Sequence, residues 1–182
     1  LGSSNWQYRK ASAKNKINEI AEDLIKIAAE RSLKKGIKFS VQEPYYSKFI
    51  NEFEFQDTED QVNVTSELLF DLNSGFPMDR LICGDVGFGK TEVALRGAFN
   101  VAMSGSQVAF IVPTTLLCRQ HYQNFTKRFH NFPLKIEQIS RLNSTAENNE
   151  IIERINSGEC DIVVGTHALL NNKIKFKKLG ML

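Results

Sequence analysis

The stretch Arg80-Leu81-Ile82-Cys83-Gly84-Asp85-Val86-Gly87-Phe88-Gly89-Lys90-Thr91 decides the fold. From Gly84 onward it spells glycine, four residues, glycine, lysine and threonine, the spacing of a phosphate-binding loop. Phosphates are anionic and need many short donors. Gly84, Gly87 and Gly89 let the backbone N–H groups close in, with Asp85, Val86 and Phe88 completing the loop. A helix opening at about Gly89 turns its free N–H groups and positive dipole end toward the same point. Lys90 is expected to reach the β- and γ-phosphates as a point charge. Thr91 is expected to offer its hydroxyl to Mg²⁺, so Lys90 and Thr91 carry both binding and catalysis. The pattern predicts a nucleoside triphosphate with magnesium, ATP and Mg²⁺. It does not predict a purpose, because unrelated activities share this loop.

Outward from the loop, the chain alternates. The apolar run Arg80–Gly84 reads as a strand, and 89–104 as a helix with Val93, Ala94, Ala98 and Val101 at helical spacing. Strands are expected at 107–112, 134–139 and 160–164, and helices at 60–74, 115–130 and 145–157. Strands joined by helices imply crossover connections and a parallel sheet. Ala109–Val112 is almost wholly apolar, as a strand covered on both faces should be. The fold class is therefore three-layer α/β. Before it, residues 9–33 contain no Gly or Pro and place Ile17, Ile20, Ala21, Leu24, Ile25, Ala28 and Ala29 at helical spacing. This reads as a long amphipathic connecting helix, stopped at Gly36. Residues 41–61 read as loop.

The 182 residues suffice for one domain and an appendage. With 42% hydrophobic and 24% charged residues the chain is a globular one, not a disordered one. Residues 1–40 hold nine Lys/Arg against four Asp/Glu, whereas residues 41–70 hold one against seven. That reversal places a boundary near residue 40, between a linker of 1–40 and a lobe of 41–182. Cys83, Cys118 and Cys160 are three widely spaced thiols without metal-ligand spacing. They suggest buried cysteines in a reducing compartment, hence a cytoplasmic location. No apolar run is long enough for a membrane span, and none is expected.

Several further segments, in order, resemble superfamily-2 helicases and translocases. Phe53-Glu54-Phe55-Gln56-Asp57-Thr58-Glu59-Asp60-Gln61 resembles the Q motif, which implies that Gln61 reads the adenine edge while Phe55 packs nearby. An amide supplies the donor and acceptor this needs, although a surface glutamine at a helix start is spelled the same way. Pro113-Thr114-Thr115-Leu116-Leu117 resembles motif Ia, implying DNA-backbone contacts by Thr114 and Thr115; either could equally be a helix cap. Ser140-Arg141 resembles motif Ib, with Arg141 a phosphate contact or a solvated cation. Gly165-Thr166-His167 resembles motif Ic, with Thr166 and His167 as DNA contacts or parts of a capped turn.

The similarity is closer still to the bacterial transcription-repair coupling factors. It runs through Met78–Ala94, Val112–Leu117 with Gln120-His121-Tyr122, Gly165–Leu170 and Lys175–Gly180. Leu1–Trp6 and the basic helix after it resemble that family's segment between the polymerase-binding module and the motor. This implies the first, incomplete lobe of a RecA-like helicase motor behind a linker helix. It also implies a double-stranded-DNA translocase that uses ATP to displace a stalled RNA polymerase and bring in nucleotide-excision-repair proteins. Two departures stand out. Leu142–Glu147 lacks the additional basic residues that the family tends to carry after motif Ib, and Cys118-Arg119 replaces a small, polar pair.

The sequence stops before an Asp-Glu-x-His box, so the expectation for the isolated chain is weak nucleotide binding and almost no hydrolysis. Lys173, Lys175, Lys177 and Lys178 alternate with Ile174 and Phe176, which predicts a strand or turn with one buried face. Two other functions fit the same residues. One is the motor lobe of a fork-remodelling recombination helicase. The other is a non-catalytic, nucleotide-gated binding module.

Overall fold

A computed structural model describes residues 4–182, with side chains from Trp6 onward. The start of the expected junction segment, Leu1-Gly2-Ser3, lies outside the described residues. Helix α1 (Ser4–Leu33) is one continuous helix. Ile17, Ile20, Leu24 and Ile25 are all exposed along it. Its lower end meets the rest of the protein through an ion pair of Arg31 with Asp79.

Packing begins just past the helix. Gly36 N–H donates to the Gly75 carbonyl and Phe39 N–H to that of Leu72, and the Phe39 ring enters the core. Helix α2 (Tyr45–Asn51) follows, where the sequence suggested only loop. At seven residues it is too short to display a helical repeat. Helix α3 (Glu59–Ser74) opens on a capping box, Thr58 and Gln61 bonding each other's backbone N–H, and closes at Gly75 in the left-handed conformation.

Helix α4 (Lys90–Met103) is the centre of the molecule, buried almost continuously from Glu92 to Ala102. Strand β1 (Gln107–Ile111), helix α5 (Thr115–Arg128), strand β2 (Ile136–Ile139), helix α6 (Thr145–Ser157) and strand β3 (Ile162–Gly165) complete the alternation. A 3₁₀ turn, His167–Leu170, leads through an irregular segment to strand β4 (Leu179–Met181). The four strands form one sheet in the order β2-β3-β1-β4, every pair parallel.

Alternate residues of each strand feed opposite faces. Val108, Ile162 and Val164 join the larger core under α2, α3, α4 and α5, while Ala109 and Val163 join Ile151, Ile155 and Leu169 beneath α6. Helices therefore cover both faces, and the three-layer parallel architecture expected from the sequence is the one observed. The larger core is dominated by phenylalanine. Phe49 stacks on Phe99 at 4.4 Å and on Phe129 at 5.2 Å, and Phe132 meets Phe99 edge-on at 4.9 Å. Each such pair contributes ~0.5–1.5 kcal/mol beyond its buried area. Gln107 spends its buried amide on both sides of β1, donating to the Ile155 and Cys160 carbonyls and accepting from Lys178 N–H.

One expected strand is not formed. Arg80–Gly84 is irregular and carries no ladder, and Leu81 is 85% exposed. A strand needs a neighbour's hydrogen bonds, and β4, the edge on that side of β1, is only three residues long. Cys83, on the same segment, is accordingly exposed, whereas Cys118 and Cys160 are buried as anticipated. The lysine-rich stretch forms no strand, but Ile174 and Phe176 pack on the smaller core and the lysines between them face outward.

Candidate functional site

The loop Gly84–Thr91 joins the irregular segment 80–84 to α4. Gly87 and Gly89 adopt φ of +87° and +70°, a region L side chains rarely enter. At Gly89 a Cβ would also come within 2.3 Å of the Gln61 amide nitrogen. Helix α4 begins at Gly89 without any side-chain cap. The contrast with its neighbours is informative: Thr58, Thr114 and Ser144 cap α3, α5 and α6. Of the first-turn donors, the Glu92 N–H bonds the Gly89 carbonyl, which leaves those of Lys90 and Thr91 for an anion.

Lys90 turns back over the loop, donating to the carbonyls of Gly84 at 2.7 Å and Asp85 at 2.5 Å. Its ammonium sits where it can exchange those carbonyls for phosphate oxygens. Thr91 follows on the first turn of α4. This donor set fits a magnesium-bound triphosphate: backbone N–H groups and Lys90 for the phosphates, and the Thr91 hydroxyl for the metal.

Gln61 lies against the loop as well. Its amide nitrogen donates to the Phe88 carbonyl at 3.1 Å, and its amide oxygen accepts from Thr58 N–H at 2.9 Å. An amide has two donors and two acceptor lone pairs, so one of each remains for a base edge. Phe55 is exposed, with its ring edge-on to Phe53 at 5.5 Å. A cavity of about 510 Å³ opens beside Thr91, with Phe53, Phe55, Leu95, Asn124 and Arg128 in its wall.

Beneath this surface lies an ionic cluster that sequence reading missed. Arg96, 2% exposed, holds the Asp57 carboxylate with two bonds of 2.9 and 2.8 Å. Glu92 accepts from Arg96 at 3.3 Å and from Arg128 at 3.1 and 2.7 Å. Arg128 lies 3.7 Å over the Phe49 ring and donates to the Phe49 carbonyl. Burial works against the Arg96 charge, but the bonds and charge of Asp57, with Glu92 behind it, outweigh that and raise its pKa. Burial beside the same cluster pushes the Tyr46 hydroxyl up to about 12. Removing one member of such a buried group strands its partner's charge, at a cost on the order of 3–5 kcal/mol. The available signal was a glutamate and an arginine one turn apart among the apolar positions Val93, Leu95, Ala98 and Phe99 of α4.

The remaining site residues gather at the carboxyl ends of the strands. Ile139, Gly165 and Ile111 are level in the register, so the turns after β2, β3 and β1 stand side by side. Thr114 and Thr115 follow β1, Arg141 follows β2, and Thr166 and His167 follow β3. The Thr114 and Thr166 hydroxyls accept from Leu117 and Ala168 N–H, which leaves each hydroxyl proton free to donate. Arg141 is exposed on a turn shaped by Ser140, Asn143 and Asn148, whose side chains bond within it. Open α/β sheets bind ligands at this end of their strands.

The chain resembles known proteins in sequence and in fold. Residues 58–182 match the DEAD/DEAH box helicase family. Across all 182 residues the chain is 43% identical to the transcription-repair-coupling factor of Myxococcus xanthus and 44% identical to that of Escherichia coli strain K12. It spans only 15% and 16% of their respective lengths. A solved structure of RecG bound to a three-way DNA junction superposes with a TM-score of 0.79 at 34% identity, covering 85% of this chain and 21% of that one. With more than half of its residues in the match, and the loop, the helix behind it and the parallel sheet in place, the chain belongs to the DEAD/DEAH box helicase family.

Proposed function

We propose that this chain is the ATP- and Mg²⁺-binding part of a double-stranded-DNA translocase that displaces stalled RNA polymerase at lesions and couples transcription to nucleotide excision repair. The observation that carries the nucleotide part is the uncapped start of α4 behind a loop with Gly87 and Gly89 at positive φ, Lys90 and Thr91. Bound Mg²⁺ would neutralise charge on the β- and γ-phosphates, with Thr91 as its protein ligand. Phe55 and the free half of the Gln61 amide receive the base beside the 510 Å³ cavity. Thr114, Thr115, Arg141, Thr166 and His167 hold one DNA backbone along the ends of the strands. In the whole protein, residues 1–40 act as the linker and residues 41–182 as the first lobe, which closes on a second lobe when ATP binds. The polymerase-directed part rests on the relatives named as transcription-repair-coupling factors, and that work places the protein in the cytoplasm. Among the described residues no helix is long and apolar enough to cross a membrane.

Glu92, next to Thr91, is committed to two arginines and is not free to orient an attacking water. The 182-residue chain should therefore bind nucleotide weakly and hydrolyse almost none. Lys90→Ala should abolish the binding of a labelled ATP analogue; unchanged affinity would refute the site.

The whole protein is tested with RNA polymerase stalled on DNA. ATP-dependent release that disappears in Lys90→Ala supports the coupling reading. The match to RecG favours one alternative, a fork-remodelling motor. Regression of a branched fork without polymerase release would support that instead.

A further inference from the structure

The ionic cluster under the loop joins elements far apart in sequence. Asp57 belongs to the segment ahead of α3, Glu92 and Arg96 to α4, and Arg128 to the end of α5. The Phe53 ring lies between the two guanidiniums, 5.4 Å from Arg96 and 5.8 Å from Arg128. Phe53 in turn meets Phe55 edge-on. One residue after Asp57, the Thr58 capping box fixes Gln61, whose amide reaches the Phe88 carbonyl of the loop. The side chains that meet a base are therefore not held by burial of their own, since Phe55 is 71% exposed. They are held from behind, by a paired set of charges anchored on the helix that starts the phosphate site.

We infer that Asp57, Arg96 and Glu92 are positioning residues for base selection: they clamp the segment 53–61 to α4 so that the base is read in a fixed register with the phosphates. This rests on the nucleotide reading of the loop. The phosphate contacts lie ahead of the clamp, on the loop backbone, Lys90 and Thr91. Loosening the clamp should therefore cost base discrimination and leave phosphate affinity in place. A cluster that only stabilised the fold would change both together or neither.

The test uses the 182-residue chain with Mg²⁺ and three probes, ATP, GTP and inorganic tripolyphosphate, each measured by displacement of a labelled ATP analogue. Asp57→Asn keeps the shape and a carbonyl oxygen for the Arg96 guanidinium while removing the charge. Its preference for ATP over GTP should fall by about fivefold or more, the lower end of a typical coupling between sites. Tripolyphosphate affinity should stay unchanged, and Asp57→Glu should recover part of the preference. Melting curves are recorded beside each measurement. If Asp57→Asn does not fold, Phe53→Leu removes the ring between the guanidiniums while leaving the charges paired, and the same split is expected. An equal loss for ATP and tripolyphosphate, an unaltered ATP-to-GTP ratio, or an unmutated chain that does not distinguish ATP from GTP overturns the inference. Failure of the nucleotide reading looks different: none of the three probes binds, or Lys90→Ala binds all three as well as the unmutated chain.

Discussion

Lys90 shows what a residue can and cannot announce. Its spacing from Gly84 predicted an ammonium for phosphates, and the side chain lies over the loop on the Gly84 and Asp85 carbonyls. That it rests there on two carbonyls is a property of the folded loop, not of the spelling. Gln61 is similar. Its identity suited a base edge, but its bonds to Thr58 and Phe88 depend on where α3 starts relative to the loop. The Asp57–Arg96–Glu92–Arg128 group was the least legible, because charge pairing across 39 and 36 positions of sequence leaves no local period. His121 makes a prediction at this scale. Burial lowers its pKa from 6.5, and its Nδ1 is buried beside the Phe125 ring with no hydrogen-bond partner among the described residues. The unfolded chain thus takes up the proton first. The neutral ring's contribution is intact above pH 6.5 and is lost as pH falls from there through the lowered folded value. His121→Gln should remove that part of the acid dependence, so the gap between the two melting-temperature curves should change between pH 7 and pH 5. Parallel curves would show that the ring is not the group responsible.

Elements with strong local signals were read well from sequence. Helix α6 spans the expected 145–157, because Ser144 with Glu147 and then Gly158 punctuate both ends. The Ser144 N–H bond is also the main cause that holds the Glu147 carboxyl below its ordinary value, followed by the Ser144 hydroxyl. Ser144→Ala removes the hydroxyl that accepts from the Glu147 N–H and should cost ~1 kcal/mol, as loss of a helix cap does. A denaturant midpoint identical to that of the unmutated chain would count against the cap. Elements that depend on a neighbour were read poorly. Arg80–Gly84 has strand composition, but ladder bonds come from a second strand, and composition cannot supply one. Helix α2 failed for a different reason, its seven residues holding the core through Tyr46 and Phe49 without completing a recognisable repeat.

At the scale of the molecule, alternation alone was enough to imply a parallel sheet with helices on both faces. It could not give the strand order, which is decided by which crossovers pack beside which strands. Nor could it show that the turns after β1, β2 and β3 are level. That levelling sets a test for the DNA surface in the whole protein. Thr115→Ala and Arg141→Ala should each weaken DNA binding, and Arg141→Ala, which removes a cation, should also reduce the salt slope by about one. DNA affinity identical to the parent in both variants would remove these turns from the interface.

The register of Ile139, Gly165 and Ile111 also makes the sheet a ruler. Neighbouring strands stand ~4.8 Å apart, so the turn after β2 and the turn after β1 are separated by ~10 Å. A nucleic-acid strand advances ~3.4 Å per nucleotide. On the DNA reading proposed above, a duplex whose axis ran along the three turns would present about three nucleotides of one strand to them, and extending that contact would take another strand, not a longer loop.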